Sequence, residues 1–197
     1  MSFPRYPKYK DSGVESFGQV PTHWKVEPFK RHICLNDGGV WGNDPSGIGD
    51  TMVLRSTEQS VDGQWELDSA AFRSLSESDV KSALLEAGDL LMTKSSGSSL
   101  HIGKTTLVSE QVAALHCCYS NFMQRIRLQD SLIPCLVWRF LNNTLARRQF
   151  EILSNTSTGL ANLNGAMIGQ VLVPIAPVKE QSQLPPSSTT KPPRSTR

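Results

Sequence analysis

Only one stretch of this sequence carries an apolar period long enough for a long helix. From Ile133 onward, Leu136, Val137, Phe140 and Leu141 recur at the i, i+1, i+4, i+5 spacing of one helix face. Pro134 suits the first turn, and the pattern reaches about Phe150. The other apolar runs are short and read as strands, at 24–29, 52–56, 90–93, 105–108 and 170–175. Residues 122–128 alternate and read as a half-exposed strand. Asp62-Gly63, between Val61 and Trp65, signals a hairpin turn. Ser76-Glu77-Ser78-Asp79 has the cap chemistry of a short helix, running to about Glu86 and stopping at Gly88. The expected class is therefore α+β, strand-rich, with one long helix and short helices. Residues 1–18 read as an extended lead-in. Residues 36–50, with five glycines and Pro45, read as a long loop of the kind that often carries function. Residues 156–164 read as a polar loop.

At 197 residues the chain is long enough for one domain with a real core. No apolar run approaches the ~20 residues of a membrane span, and the first residues hold no apolar leader segment. Cys34, Cys117, Cys118 and Cys135 show no CxxC spacing, and the adjacent pair suits a disulfide poorly. Reduced thiols in a cytoplasmic protein are expected. The net charge of +2 hides a segregation. Residues 37–89 carry 11 acids and 3 bases, whereas residues 90–179 carry 3 acids and 8 bases. A basic second half can present a positive face to phosphates; alternatively, the two halves simply pair with each other.

Sequence patterns for catalysis fail one by one. Residues 97–105 look like a phosphate-binding P-loop, but five residues separate Gly97 from Gly103 where the motif has four. The following Thr105-Thr106-Leu107-Val108 also prefers strand, whereas a P-loop opens a helix. His32, Cys34, Cys117 and Cys118 lack the spacing of a structural zinc site. No Gly-x-Ser-x-Gly elbow exists, and no carboxylate pair stands out. Neither a catalytic residue nor a metal or other cofactor is expected. What remains is a polar loop, residues 94–104, with Lys94, His101 and Lys104 and four serines. Its glycines let backbone approach a ligand closely. Such a loop suits phosphate oxygens and base edges, or is a solvated hairpin.

Three motifs then occur in order. Residues 9–24, YKDSGVESFGQVPTHW, resemble the "Y-K-x-S-G-V-E-W-[LI]-G-x-[IV]-P-x-H-W" opening of type I restriction–modification specificity subunits, with Ser16 where Trp is usual. Residues 88–94, GDLLMTK, resemble that family's "G-D-[IL]-L-x-[ST]" segment. Residues 162–164 and 173–181 resemble its "N-[LI]-N" and "P-x-P-P-x-x-E-Q" end. The resemblance implies a target recognition domain, residues 1–181, that binds double-stranded DNA and reads one half of a bipartite site. It implies no active site. Methyl transfer and cleavage would belong to type I methyltransferase (modification) subunits and a restriction subunit, with a second half-subunit as a further partner. The alternative is a protein-interaction module without DNA, or an inactive fragment. Candidate DNA contacts, chosen because they lie in or beside polar loops, are Trp41, Asn43, Arg55, Lys94, Ser96, Ser98, His101 and Lys104. Trp24, Leu90, Leu91 and Val173 are expected in the core.

After Gln181 the pattern stops. Residues 182–197 hold four of the chain's twelve prolines and no aromatic residue, a composition that does not fold. The family continues here with the start of a helix resembling "I-A-x-F-L-D-x-x-T-x-K-I-D". A permitted choice of codons for this tail, shifted by one base, reads Ala-Ala-Phe-Leu-Asp-His-Glu-Thr-Ala-Lys-Ile-Asp. Residues 182–197 are therefore expected to be a disordered frameshift remnant on a truncated specificity subunit.

Overall fold

The computed structural model describes residues 6–96, 101–154 and 161–183. Residues from Leu184 onward, the greater part of the expected remnant, lie outside them. The N-terminal half holds strands β1 (Tyr9–Asp11), β2 (Gln19–Pro21), β3 (Lys25–Pro28), β4 (Ile33–Gly38), β5 (Thr51–Leu54) and β6 (Ala71–Arg73), then helix α1 (Glu77–Ala83). Next come β7 (Leu90–Thr93), β8 (Ser95–Ser96), β9 (Thr105–Leu107), α2 (Glu110–Ala113), β10 (Cys118–Tyr119) and β11 (Met123–Leu128). The chain then folds into α3 (Pro134–Asn142), α4 (Thr144–Ser154), β12 (Ala161–Asn162), α5 (Gly165–Gln170), β13 (Leu172–Ile175) and α6 (Val178–Gln181).

An antiparallel sheet in the order β4-β11-β7-β9 forms the middle layer. Successive side chains of a strand point to opposite faces. Leu90 and Met92 therefore enter one core, with Phe29, Ile126, Leu141, Phe150 and Ile168 beneath α3, α4 and α5. Leu91 enters the other, with Val53, Leu54, Cys117, Tyr119 and Met123 beside the β10-β5-β6 sheet. Both faces of β7 are buried, which explains its continuous apolar run.

Several elements differ from expectation for identifiable reasons. The long helix is two helices. Asn143 leaves the helical region, and its side chain accepts from the backbone N–H of Leu145 (2.9 Å) and Ala146 (3.1 Å), capping α4. The helix after Ser76 ends at Ala83, before Glu86. Part of the expected lead-in, β1, pairs with β2 as a hairpin over residues 9–21. The loop expected from Asn36 begins only after β4 ends at Gly38. The strand expected to be half-exposed, β11, has Met123 through Ile126 all buried. Its arginines carry the polarity into ion pairs. Arg125 donates to Asp37 (3.0 and 2.6 Å) and to the carbonyls of Leu84 and Ser82. Arg127 donates to Asp89 (2.7 and 2.9 Å).

The edge strand β9 is covered by side chains of α3. Asn142 accepts from the Thr105 N–H (3.1 Å) and donates to its carbonyl (2.8 Å), and the Trp138 indole N–H donates to that carbonyl too. An exposed ladder edge would otherwise recruit another chain. All four cysteines are free thiols. Burial pushes the Cys117 and Cys118 thiols up to about 11.

The residues of the three motifs are fixed by one another. Glu180 accepts from the Trp24 indole N–H (3.0 Å) and the Tyr6 hydroxyl, and its Oε2 lies 2.8 Å from His23 Nε2. Gln181 donates to the carbonyls of Ser131 and Ala176 and accepts from the Ile133 N–H. Gly88 sits at φ +92, a conformation that favours glycine. Asp89 beside it is fully buried and holds both Arg127 and the Glu86 N–H. Leu163 is buried, and Asn164 caps α5.

Two outcomes follow from these contacts. Asp89→Ala leaves the Arg127 guanidinium without its principal partner and should cost about 3 kcal/mol of stability, read from urea denaturation. Burial would raise the Glu180 carboxyl, but hydrogen bonds from Tyr6, His23 and Trp24 outweigh it, and the net shift is downward. A lowered folded-state value means that its contribution is present above the ordinary glutamate range and is lost as pH falls through the folded value. Urea midpoints taken from neutral pH to pH ~3 should fall in the wild type, with a smaller acid-dependent loss in Glu180→Gln.

Candidate nucleic-acid interface

The register of the central sheet gathers its loops at one end. Gly38 pairs with Gln124, Thr93 with Met123, and Thr105 with Met92. The segments leaving β4 and β7, and those preceding β9 and β11, therefore lie side by side. Glycine is required at position 39, just after β4 leaves the sheet. A Cβ on Gly39 would stand 2.0 Å from the Tyr119 carbonyl oxygen, and one on Gly38 would stand 2.8 Å from Lys94 Nζ. Phe122 is exposed at the same end, and its carbonyl accepts from the Lys94 N–H.

Lys94 is half-buried, and its ammonium lies over Gly38 near the Gln124 carboxamide. Burial lowers its pKa. Among the described residues the ammonium forms no ion pair or hydrogen bond, so its charge is available to an anion. Asn36 and Gln124 flank it as a bonded pair. The Gln124 amide donates to Asn36 (2.8 Å), which donates to the Gly165 carbonyl (2.8 Å). This pair escaped the sequence reading because polar residues inside a strand read as solvent-facing. The detectable signal was their place on the same face as Ile126 and Leu90.

The other candidates separate by their contacts. Lys104, expected to touch DNA, is an interior residue, 2% exposed. Its ammonium donates to the carbonyls of Ser56 (3.1 Å) and Gln59 and lies 3.5 Å from His101 Nδ1. Burial lowers its pKa. A hydrogen-bonding demand from buried carbonyls decided its place, and the loop's polar composition concealed that. Arg55 is committed to Glu58, donating from Nη2 to Oε1 (2.6 Å) and from Nε to Oε2 (3.2 Å), and to the Ser69 carbonyl. Ser96 lies in β8, which pairs with β12. Ser98 lies outside the described residues. His101 is half-buried.

Trp41 and Asn43 lie in the loop after β4. Trp41 packs against the second core, with the Arg73 guanidinium 4.6 Å from its ring centroid. Asn43 is exposed, and its backbone exchanges two hydrogen bonds with Ser74 (3.0 and 3.2 Å). The structure places Lys94 at this end of the central sheet, ties Trp41 and Asn43 to Arg73 and Ser74 beside β6, and withdraws Lys104 and Arg55 into internal bonding. Among the described residues no group of three or more His, Cys, Asp or Glu is placed to hold a metal ion.

Comparison with known proteins agrees on one class. The fold is that of type I restriction–modification specificity subunits. It matches the HsdS subunit from Thermoanaerobacter tengcongensis with a TM-score of 0.54, at 15% identity, over 89% of this chain and 38% of that one. A chain from a solved type I R-M system matches with a TM-score of 0.59, at 15% identity, over 89% of this chain and 39% of that one. In sequence, the chain is similar to the EcoKI specificity subunit of Escherichia coli strain K12, 27% identical over 139 residues, or 71% of this chain and 29% of that relative. The chain spans less than a third of that relative's length. No protein-family model matches it.

The position of Lys104 gives a direct outcome. Lys104→Ala removes a charged donor from two interior carbonyls and should cost about 2 kcal/mol of stability. The salt dependence of any nucleic-acid binding should stay unchanged, in contrast to a phosphate contact. Urea denaturation and binding titrations across salt concentrations check both halves.

Proposed function

We propose that residues 1–181 form a target recognition domain that binds duplex DNA and reads one half of a bipartite site, without catalysis of its own. Sequence similarity to a type I specificity subunit, over 71% of the chain, carries this reading, and the fold match supports it. Methyl transfer and cleavage would reside in modification and restriction subunits. The uncompensated ammonium of Lys94 supplies a phosphate contact, and the loop after β4 supplies groups for base edges. The proposed domain ends near Gln181, whose carboxamide is bonded into Ser131, Ala176 and Ile133. The tail beyond it is proposed to be a frameshift remnant, and nucleotide sequence read in the shifted frame would continue the family's helix.

Binding to duplex DNA should weaken steeply as salt rises, because phosphate contacts release counterions. Lys94→Ala should weaken binding by a similar factor on every sequence and reduce the slope of log affinity against log salt by about one. Fluorescence anisotropy over a salt series measures both. Salt-independent binding, or capture of modification subunits with no affinity for any duplex, contradicts the proposal in favour of a protein-interaction module.

A further inference from the structure

The first part of the loop after β4 is tied to the end of β6 by a dense set of contacts. Arg73, at the end of β6, donates from Nε to the Trp41 carbonyl (3.3 Å), from Nη2 to the Gly42 carbonyl (3.3 Å) and from Nη1 to Asp44 (2.8 Å). Its guanidinium also covers the Trp41 ring. Asn43 is bridged in both directions to Ser74. Gly42, at φ +72, closes the turn, and a Cβ there would stand 2.3 Å from Leu75. Four consecutive residues, Trp41 to Asp44, are thus fixed to the end of β6. The Arg73 side chain is only 14% exposed, so it serves the loop and not the solvent.

The residue this clamp displays is Asn43. It is exposed, and its carboxamide makes no hydrogen bond among the described residues, although its backbone on both sides is fixed. A carboxamide offers a donor and an acceptor side by side, which matches the N6 and N7 edge of adenine in the major groove. The neighbouring Asp44 would repel a phosphate backbone, but Arg73 neutralises it. Asn43 follows Gly38 by five residues, so its backbone lies within roughly 20 Å of the Lys94 ammonium, the reach of five extended residues. That upper bound is about six base-pair steps, within the span of one duplex.

We propose that Trp41–Asp44 is an adenine-reading finger, in which Asn43 contacts the base edge and Arg73 is the positioning residue. The proposal rests on the DNA-binding reading and names the base class read at this point. Fixing the backbone in advance means that little ordering cost falls on binding, which favours a specificity role.

The test uses the full chain. Selection from a randomised duplex pool should enrich a site containing an adenine whose replacement by guanine weakens binding roughly tenfold, the discrimination expected of one bidentate contact. Asn43→Ala should flatten the preference at that one position to within about twofold, leaving the other positions and the salt slope unchanged. Arg73→Lys keeps the charge and loses the fork, and should flatten the same position while its thermal midpoint stays near that of the wild type. An Asn43→Ala protein that retains every preference overturns the finger and leaves DNA binding standing. An Arg73→Lys protein that loses stability but keeps the adenine preference overturns the positioning role. A wild type that enriches no sequence defeats the DNA-binding reading, and the finger with it.

Discussion

β11 is buried on both faces, yet three of its six residues are Gln124, Arg125 and Arg127. A guanidinium taken out of water costs several kcal/mol unless it is paired and fully hydrogen-bonded. Here each arginine finds a carboxylate on a neighbouring segment, Asp37 on β4 for Arg125 and Asp89 before β7 for Arg127. Arg125 also caps the end of α1 by donating to Ser82 and Leu84. The rows of these pairs fix which residue stands opposite which. A slip of one residue would turn every side chain of β11 to the other face and leave both charges unpaired. The two cores, and the positions of the loops at the sheet's end, depend on that register.

The charge segregation of the sequence acquires a structural meaning in this arrangement. Acidic Asp37, Glu86 and Asp89 from the first half neutralise Arg125 and Arg127 from the second. Lys104 spends its charge on carbonyls inside the protein. A count of bases therefore overstates the positive field available to phosphates. The ammonium of Lys94 stands apart, because no carboxylate meets it among the described residues.

Periodicity and turn chemistry in the sequence reveal the strand-rich α+β class, the hairpin turn at Gly63, β7, β9 and the cap at Ser76. They miss the break at Asn143, because a side-chain cap between two helices leaves the apolar period intact. They miss the burial of β11, because alternation of Gln, Arg and Ile looks the same whether the polar residues meet water or ion-pair partners. Among the site candidates, Asn43 and Lys94 are exposed or unpaired, whereas Lys104 was misplaced because residue type alone cannot distinguish a solvated lysine from one bonded to buried carbonyls. The three motif segments proved to be framework. Trp24, Asp89, Leu163 and Glu180 hold the fold together, so these segments set where the loops stand without specifying what the loops contact.

β3 and β13 pair antiparallel, and Glu180 holds His23 and Trp24 just ahead of β3. Polypeptide therefore passes into and out of the body through neighbouring strands, tied together by a three-donor latch. Mechanical load on the flanking segments would be carried by the latch and the β3–β13 ladder, and would bypass the loops at the far end of the central sheet. Changes in those loops and retention of the latch are then physically independent, so the loop surface can vary while the base of the fold stays the same.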